Sequence, residues 1–202
     1  MFFSINTQNP QVRLIKKTAD ILRDGGIIIY PTDTVYGLGC DLFNKKGIEK
    51  IYEIKKRNRK QPFSFVCADL KDISRYARVS DYAYKTMKRL LPGPYTFILE
   101  ASRLVPKIVL PKRQTTGIRV PDNRICLAIV QELGQPIIST SVKNENGDIL
   151  SDPFIIRETF GHQVDLVIDG GLLIPEQSSV VSLVDDVIEV IRVGKGNVST
   201  LI

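Results

Sequence analysis

Histidine occurs once in this 202-residue chain, cysteine three times and tryptophan not at all. The lone His162 follows Gly161 where a helix runs out, so it reads as a surface residue and leaves no serine–histidine–carboxylate triad to assemble. Cys40, Cys67 and Cys126 are odd in number and far apart, which offers neither a disulfide framework nor the paired spacing of a zinc site. They are expected to be reduced and mostly buried, and no resident metal is expected. Purely apolar runs such as 26–29 and 137–138 are strand-sized, far short of the roughly 20 residues a membrane helix requires. The first residues lack the basic start, apolar stretch and small-residue cleavage site of a secretory signal. The expectation is a cytoplasmic protein with no membrane partner.

What is present is a globular composition with unevenly placed charge. With 43 % hydrophobic and 25 % charged residues the chain can build one sizeable core, so residues 1–202 read as a single domain. The formal net charge is +6, and residues 45–60 alone hold eight lysines and arginines against two glutamates, so this one segment carries the whole excess. A spread-out basic face would favour duplex binding. One tight cluster favours a compact phosphate ligand, with single-stranded RNA left open. The cluster follows Pro31-Thr32-Asp33-Thr34-Val35-Tyr36-Gly37-Leu38-Gly39-Cys40, a loop with hydroxyls, a carboxylate and two glycines that permit close backbone approach to a ligand. It is not a Walker A sequence, because no glycine-lysine-serine or glycine-lysine-threonine triplet follows.

Periodicity alternates between helix and strand along the chain. Asn9-Pro10 reads as the start of a helix that Gly25-Gly26 stops, and residues 26–30 read as a buried strand ended by Pro31. Asn44 is placed to cap a second helix, and 63–67 reads as a strand. A helix over 80–91 breaks at Pro92-Gly93-Pro94 before a strand over 95–100. Then come a strand at 117–121, a helix capped by Asp122, a strand at 136–140 and a helix opened by Asp152-Pro153. Strands at 164–169, 180–184 and 187–193 follow, the last two joined as a hairpin at Asp185-Asp186. Such alternation predicts an α/β fold with a twisted mixed sheet.

Several residues are candidates on chemistry alone. Lys55 and Arg57, two apart at a helix end, could reach one phosphate-bearing ligand, although a solvated helix end has the same look. Arg119 lies inside an apolar strand and, facing inward, would need an anionic partner such as a substrate carboxylate; Arg192 follows the same logic. Ser139-Thr140-Ser141 ends a strand, where ligands bind in open α/β sheets. Gly194-Lys195-Gly196 reads as a glycine turn with no cofactor role.

In chain order, the loop at 31–39, Lys55-x-Arg57, Pro92-Gly93-Pro94-Tyr95-Thr96, Gly117-Ile118-Arg119-Val120-Pro121, Ser139-Thr140-Ser141 and Arg192-x-Gly194 together resemble the YrdC-like family. The best-known members are threonylcarbamoyl-AMP synthases. The resemblance implies a twisted α/β fold with a basic central cavity. It also implies a reaction of L-threonine, bicarbonate and ATP with Mg2+ that yields threonylcarbamoyl-AMP and pyrophosphate for modification of tRNA adenosine 37. Carried over by position, Lys55 and Arg57 would act on phosphate and carbamate, and Thr34 and Arg119 would line the threonine pocket. Ser139, Ser141, Ser179 and Arg192 would serve the nucleotide. Two departures stand out. Ser141 is followed by Val142 and Lys143, which puts a cation where synthases carry an asparagine amide, and the strand after the basic cluster offers Phe65, Val66 or Cys67 in place of a histidine. With its length and its Ser-Thr-Ser ending the chain is more similar to the YciO-like branch, and the alternative implied is a non-catalytic protein that binds tRNA or double-stranded RNA.

Overall fold

Alternate side chains of one apolar stretch enter different cores. In the computed structural model, which describes residues 1–56, 63–199 and 201, Ile27 and Ile29 point into one hydrophobic core while Ile28 and Tyr30 point into another. A strand buried on both sides belongs inside a sheet with both faces covered. This strand, β2 (Ile28–Tyr30), is one of ten described strands numbered in chain order. Across the sheet they run β1 (Phe2–Ser4), β8 (Leu166–Asp169), β2, β3 (Gly37–Gly39), β7 (Ile137–Ser141), β4 (Ser64–Val66), β6 (Thr115–Arg119), β5 (Tyr95–Glu100), β9 (Ser179–Ser182) and β10 (Glu189–Arg192). The pairs β1–β8, β2–β8, β4–β6 and β5–β9 are parallel and the other pairs antiparallel, so the sheet is mixed as predicted.

Helices α1 (Val12–Arg23) and α5 (Arg124–Leu133) share one face of the sheet. There Ile15, Ala19, Leu22, Ile125 and Ile129 pack with Ile28, Ile137 and Leu166. The opposite face takes Ile48 and Ile51 of α2 (Lys45–Ile54), Ile73 of α3 (Leu70–Tyr76), Met87 of α4 (Asp81–Leu90) and Ile156 of α6 (Pro153–Phe160). Each such side chain, fully buried, contributes roughly 1.5–3 kcal/mol.

Local capping chemistry explains several of the boundaries. Asn44, Ser80 and Asp152 accept from the backbone N–H groups of Gly47, Ala83 and Phe154, as their sequence positions imply. Two expected starts move. The first helix begins at Val12 rather than at Pro10, because Asn6 Oδ1 accepts from the N–H groups of Gln8 and Asn9 and holds that stretch in a turn. Asn123, not Asp122, caps α5, through the Cys126 N–H. The loop after β2 also differs from expectation. Its last part is β3, a central strand whose glycines admit neighbouring protein: a Cβ on Gly39 would lie 2.0 Å from the Ile138 carbonyl oxygen, and one on Gly37 would press on the Tyr30 ring. All three cysteines are free and buried.

Candidate functional site

The helical cover on the α1/α5 face is incomplete. No described residue of β5, β6, β9 or β10 joins that core, so their side chains on this face have no helix above them. Parity then decides what they show. Phe97, Ile118 and Val181 enter the opposite core, which turns Thr96, Ile98, Gly117, Arg119 and Val180 toward the uncovered side. Ser139 and Ser141 share that side with Ile137, and Ser64 shares it with Val66. In register, Ser139 faces Ser64, Ser64 faces Gly117, and Gly117 faces Ile98. Small side chains keep this floor low: a Cβ on Gly117 would come within 3.2 Å of both Ser64 Cβ and Thr96 Cγ2. The result is a cavity of about 930 Å³.

Charge in its walls is mostly positive. Lys55, Lys56, Arg119, Lys143 and Arg192 line the cavity, and Glu145 is the one acidic lining residue among those described. On one wall Lys55 Nζ donates to the Ser141 carbonyl at 3.0 Å, and Lys56 pairs with Glu145 at 3.0 Å across two exposed side chains. The second of these contributes little, as exposed pairs do.

Arg119 stands on the opposite side of the floor. Its side chain is 7 % exposed, and its Nη2 donates to Asp33 Oδ1 and to Thr34 Oγ1, both at 2.9 Å. Asp33 Oδ2 accepts from the Asp122 N–H, and the Asp33 carbonyl accepts from Lys195 Nζ at 2.6 Å. Thr32 Oγ1, 3.1 Å from Thr34 Oγ1, donates in turn to the Val35 carbonyl, which fixes the loop as a hydrogen-bonded chain. The anion that a buried Arg119 requires is therefore Asp33. Arg119 Nε remains buried with no hydrogen-bond partner among the described residues. Arg192 gives Nε and Nη2 to the Ser178 carbonyl. Burial, and after it the positive charge of Arg119, lowers the Arg192 pKa, so the two guanidinium groups feel each other.

A bulge aims Arg192. Val190 opposes Val181 and Arg192 opposes Val180, so Ile191 is an extra residue and Arg192 emerges on the cavity side instead of beneath Val190.

Of the residues picked from sequence, Lys55, Arg119, Ser139, Ser141 and Arg192 come together around this cavity. Arg57 lies outside the described residues. Thr34 is not in the wall: it is buried behind Arg119 and bonded to it. Ser179 is a parity error. It shares the side of Val181, where its hydroxyl accepts from the Gly194 N–H and donates to the Gly196 carbonyl, and the serine that lines the cavity is Ser178. Sequence reasoning also missed Asp33 as the partner of Arg119 and Lys195 as the brace of the Asp33 loop, residues far apart along the chain. No group of three histidine, cysteine, aspartate or glutamate residues is gathered for a metal ion among the described residues, and no described helix is long and apolar enough to cross a membrane.

A mixed α/β sheet with one face left partly open places the protein in a fold class, and comparison with known proteins narrows it. The family model Sua5–YciO–YrdC, described as telomere recombination, matches residues 20–194. The uncharacterized protein YciO of Escherichia coli K12 is 42 % identical over 199 residues, covering 98 % of this chain and 97 % of that protein. The crystal structure of E. coli YciO superposes with a TM-score of 0.95 over 100 % of this chain and 99 % of that one, at 41 % identity. A threonylcarbamoyl-AMP synthase of Coxiella burnetii is 33 % identical over 161 residues, 78 % of this chain and 86 % of that protein. P. abyssi Sua5 complexed with L-threonine gives a TM-score of 0.85 at 26 % identity over 91 % of this chain, which spans 54 % of the Sua5 chain. The chain belongs to the Sua5–YciO–YrdC family, and it is more similar to these YciO proteins than to the synthases.

Proposed function

We infer that the cavity binds L-threonine and ATP and that the protein forms threonylcarbamoyl-AMP and pyrophosphate. The observation that carries this reading is Arg119, a guanidinium in the cavity wall whose hydrogen bonds to Asp33 and Thr34 both come from Nη2. A carboxylate is its natural complement, and relatives that share the fold include a Sua5 complexed with L-threonine. Threonine and bicarbonate give a carbamate with loss of water. A carbamate oxygen then attacks the α-phosphorus, and the bond to the β-phosphate breaks to release pyrophosphate. None of these steps needs a protein nucleophile. Arg119 holds the carboxylate, with Thr34 orienting it from behind. Lys55, together with Arg57, neutralises the phosphates and the carbamate. Ser139, Ser141 and Arg192 contact the nucleotide, while Ser179 supports it indirectly by fixing the Gly194–Gly196 turn. Such a site works by positioning and charge stabilisation. Magnesium arrives with the nucleotide as part of the substrate.

Incubation with threonine, bicarbonate, ATP and magnesium, followed by mass spectrometry, should yield threonylcarbamoyl-AMP, with pyrophosphate released only when all four are present. Lys55→Ala should reduce that release by roughly a hundredfold or more while the circular dichroism spectrum is kept. Full activity of the folded variant would remove Lys55 from the reaction.

Lysines 45, 46 and 50 are exposed on α2, and they favour a second reading in which an RNA backbone binds without chemistry. Titration with tRNA and with duplex RNA separates the two. A backbone binder loses affinity with a log–log salt slope of roughly one per phosphate neutralised and makes no pyrophosphate. A flat slope together with product formation rejects it.

A further inference from the structure

Lys143 is a cation without a counterpart among the described residues. It continues the alternation of β7: Val142 is buried in the core, donating its N–H to the Tyr36 carbonyl, and Lys143 falls on the cavity side with Ser139 and Ser141. A tight turn holds it there, closed by the Asn144–Asp148 hydrogen bonds and by the bridge between Lys143 and Ile149. The residue is well over half buried, yet its ammonium group makes no hydrogen bond or ion pair with any described residue. A lysine held in a cavity wall offers its charge to an anion that enters the cavity. Glu145, the acidic residue in the lining, already pairs with Lys56. Lys55 reaches the same strand end, at the Ser141 carbonyl. Two lysines therefore converge on one wall, while Arg119 and Arg192 stand together on the other.

A single carboxylate answers one such charge, whereas a run of adjacent phosphates answers several at once. Resting on the reading that the cavity binds ATP, we propose that Lys143 is a binding residue for the phosphate chain. The Lys55–Lys143 wall takes the terminal phosphates and the departing pyrophosphate, and the Arg119–Arg192 wall takes the end that bears the carboxylate. Lysine suits this task because its ammonium is a compact charge that serves any oxygen of the chain.

The same phosphate chemistry is carried by ATP and by inorganic triphosphate, so calorimetry should compare ATP, inorganic triphosphate, AMP and L-threonine on the parent, Lys143→Met and Lys143→Arg. Thermal melting checks that each variant is folded. Lys143→Met is expected to weaken ATP and triphosphate by roughly ten- to a hundredfold, the range of a charge-assisted contact, and to leave AMP and threonine within about twofold. Lys143→Arg should restore most of the loss. Unchanged ATP affinity in Lys143→Met overturns the assignment while leaving the synthase reading intact, and an equal loss for AMP overturns it too. If the parent binds triphosphate but not ATP, the synthase reading falls while the role of Lys143 stands or falls on the triphosphate arm alone. A parent that binds neither refutes both.

Discussion

Asp33→Ala should lower the free energy of unfolding by about 3 to 5 kcal/mol. Asp33 and Arg119 meet at 2.9 Å with side chains 9 % and 7 % exposed, and removal of the carboxylate strands a guanidinium in the wall. The replacement also releases the Asp122 N–H, which Asp33 accepts. Denaturant unfolding measures the loss. The double variant Asp33→Ala/Arg119→Met removes both charges, and it should be more stable than Asp33→Ala alone, because the penalty belongs to the unpaired charge and not to the missing attraction. A loss below about 1 kcal/mol for Asp33→Ala would mean that water in the cavity already solvates Arg119. Where the folded single variant can be assayed, weaker threonine binding is the companion effect, since Asp33 holds the guanidinium in place.

The second large effect is alkaline. Burial pushes the thiols of Cys40, Cys67 and Cys126 up, the last to about 12, so all three stay protonated in the folded state where an exposed thiol would ionise. The sign follows directly. Below about pH 9 both states hold the protons and stability is full, and above it the unfolded chain releases protons that the folded chain keeps. Each thiol then removes about 1.4 kcal/mol per pH unit. By pH 10.5 the three together remove about 6 kcal/mol, comparable with the whole stability of many domains. Tyr30 and Tyr36, both raised by burial, steepen the fall above pH 10, Tyr36 being pushed up to about 12. Urea midpoints recorded from pH 8 to pH 10.5 should fall accordingly. Cys126→Ala should flatten the slope by about 1.4 kcal/mol per unit, and an unaltered slope would show that Cys126 ionises freely in the native protein.

Much of the fold was legible because its signals are local. Asn44, Ser80 and Asp152 sit immediately before apolar periodicity, and a cap acts over three residues. Asp69, which accepts from the Asp72 N–H at the start of α3, carries the same local signal. β3 was not legible. Gly37-Leu38-Gly39 carries a single apolar residue, and only the ring of Tyr30 and the chain of β7 reveal why glycine stands on both sides of it. The site divides in the same way. Arg119 announced itself as a charge in an apolar strand, but its partner lies 86 residues earlier and the Lys195 brace connects residues 162 apart. That Ser178 rather than Ser179 faces the cavity depends on a one-residue phase that only Val181, seated in the core, reveals.

The extra residue at Ile191 has a broader consequence. In a regular edge strand every second side chain emerges on the same side, and this single insertion swings a guanidinium through the plane of the sheet into the binding chamber. Pairing Ile191 with Val180 instead, with the sequence unchanged, would turn Arg192 to the side of Val190 and eject that cation. Among members of this fold, the polarity of the chamber can therefore be altered by strand register alone, a route that residue-by-residue comparison of pocket side chains does not detect.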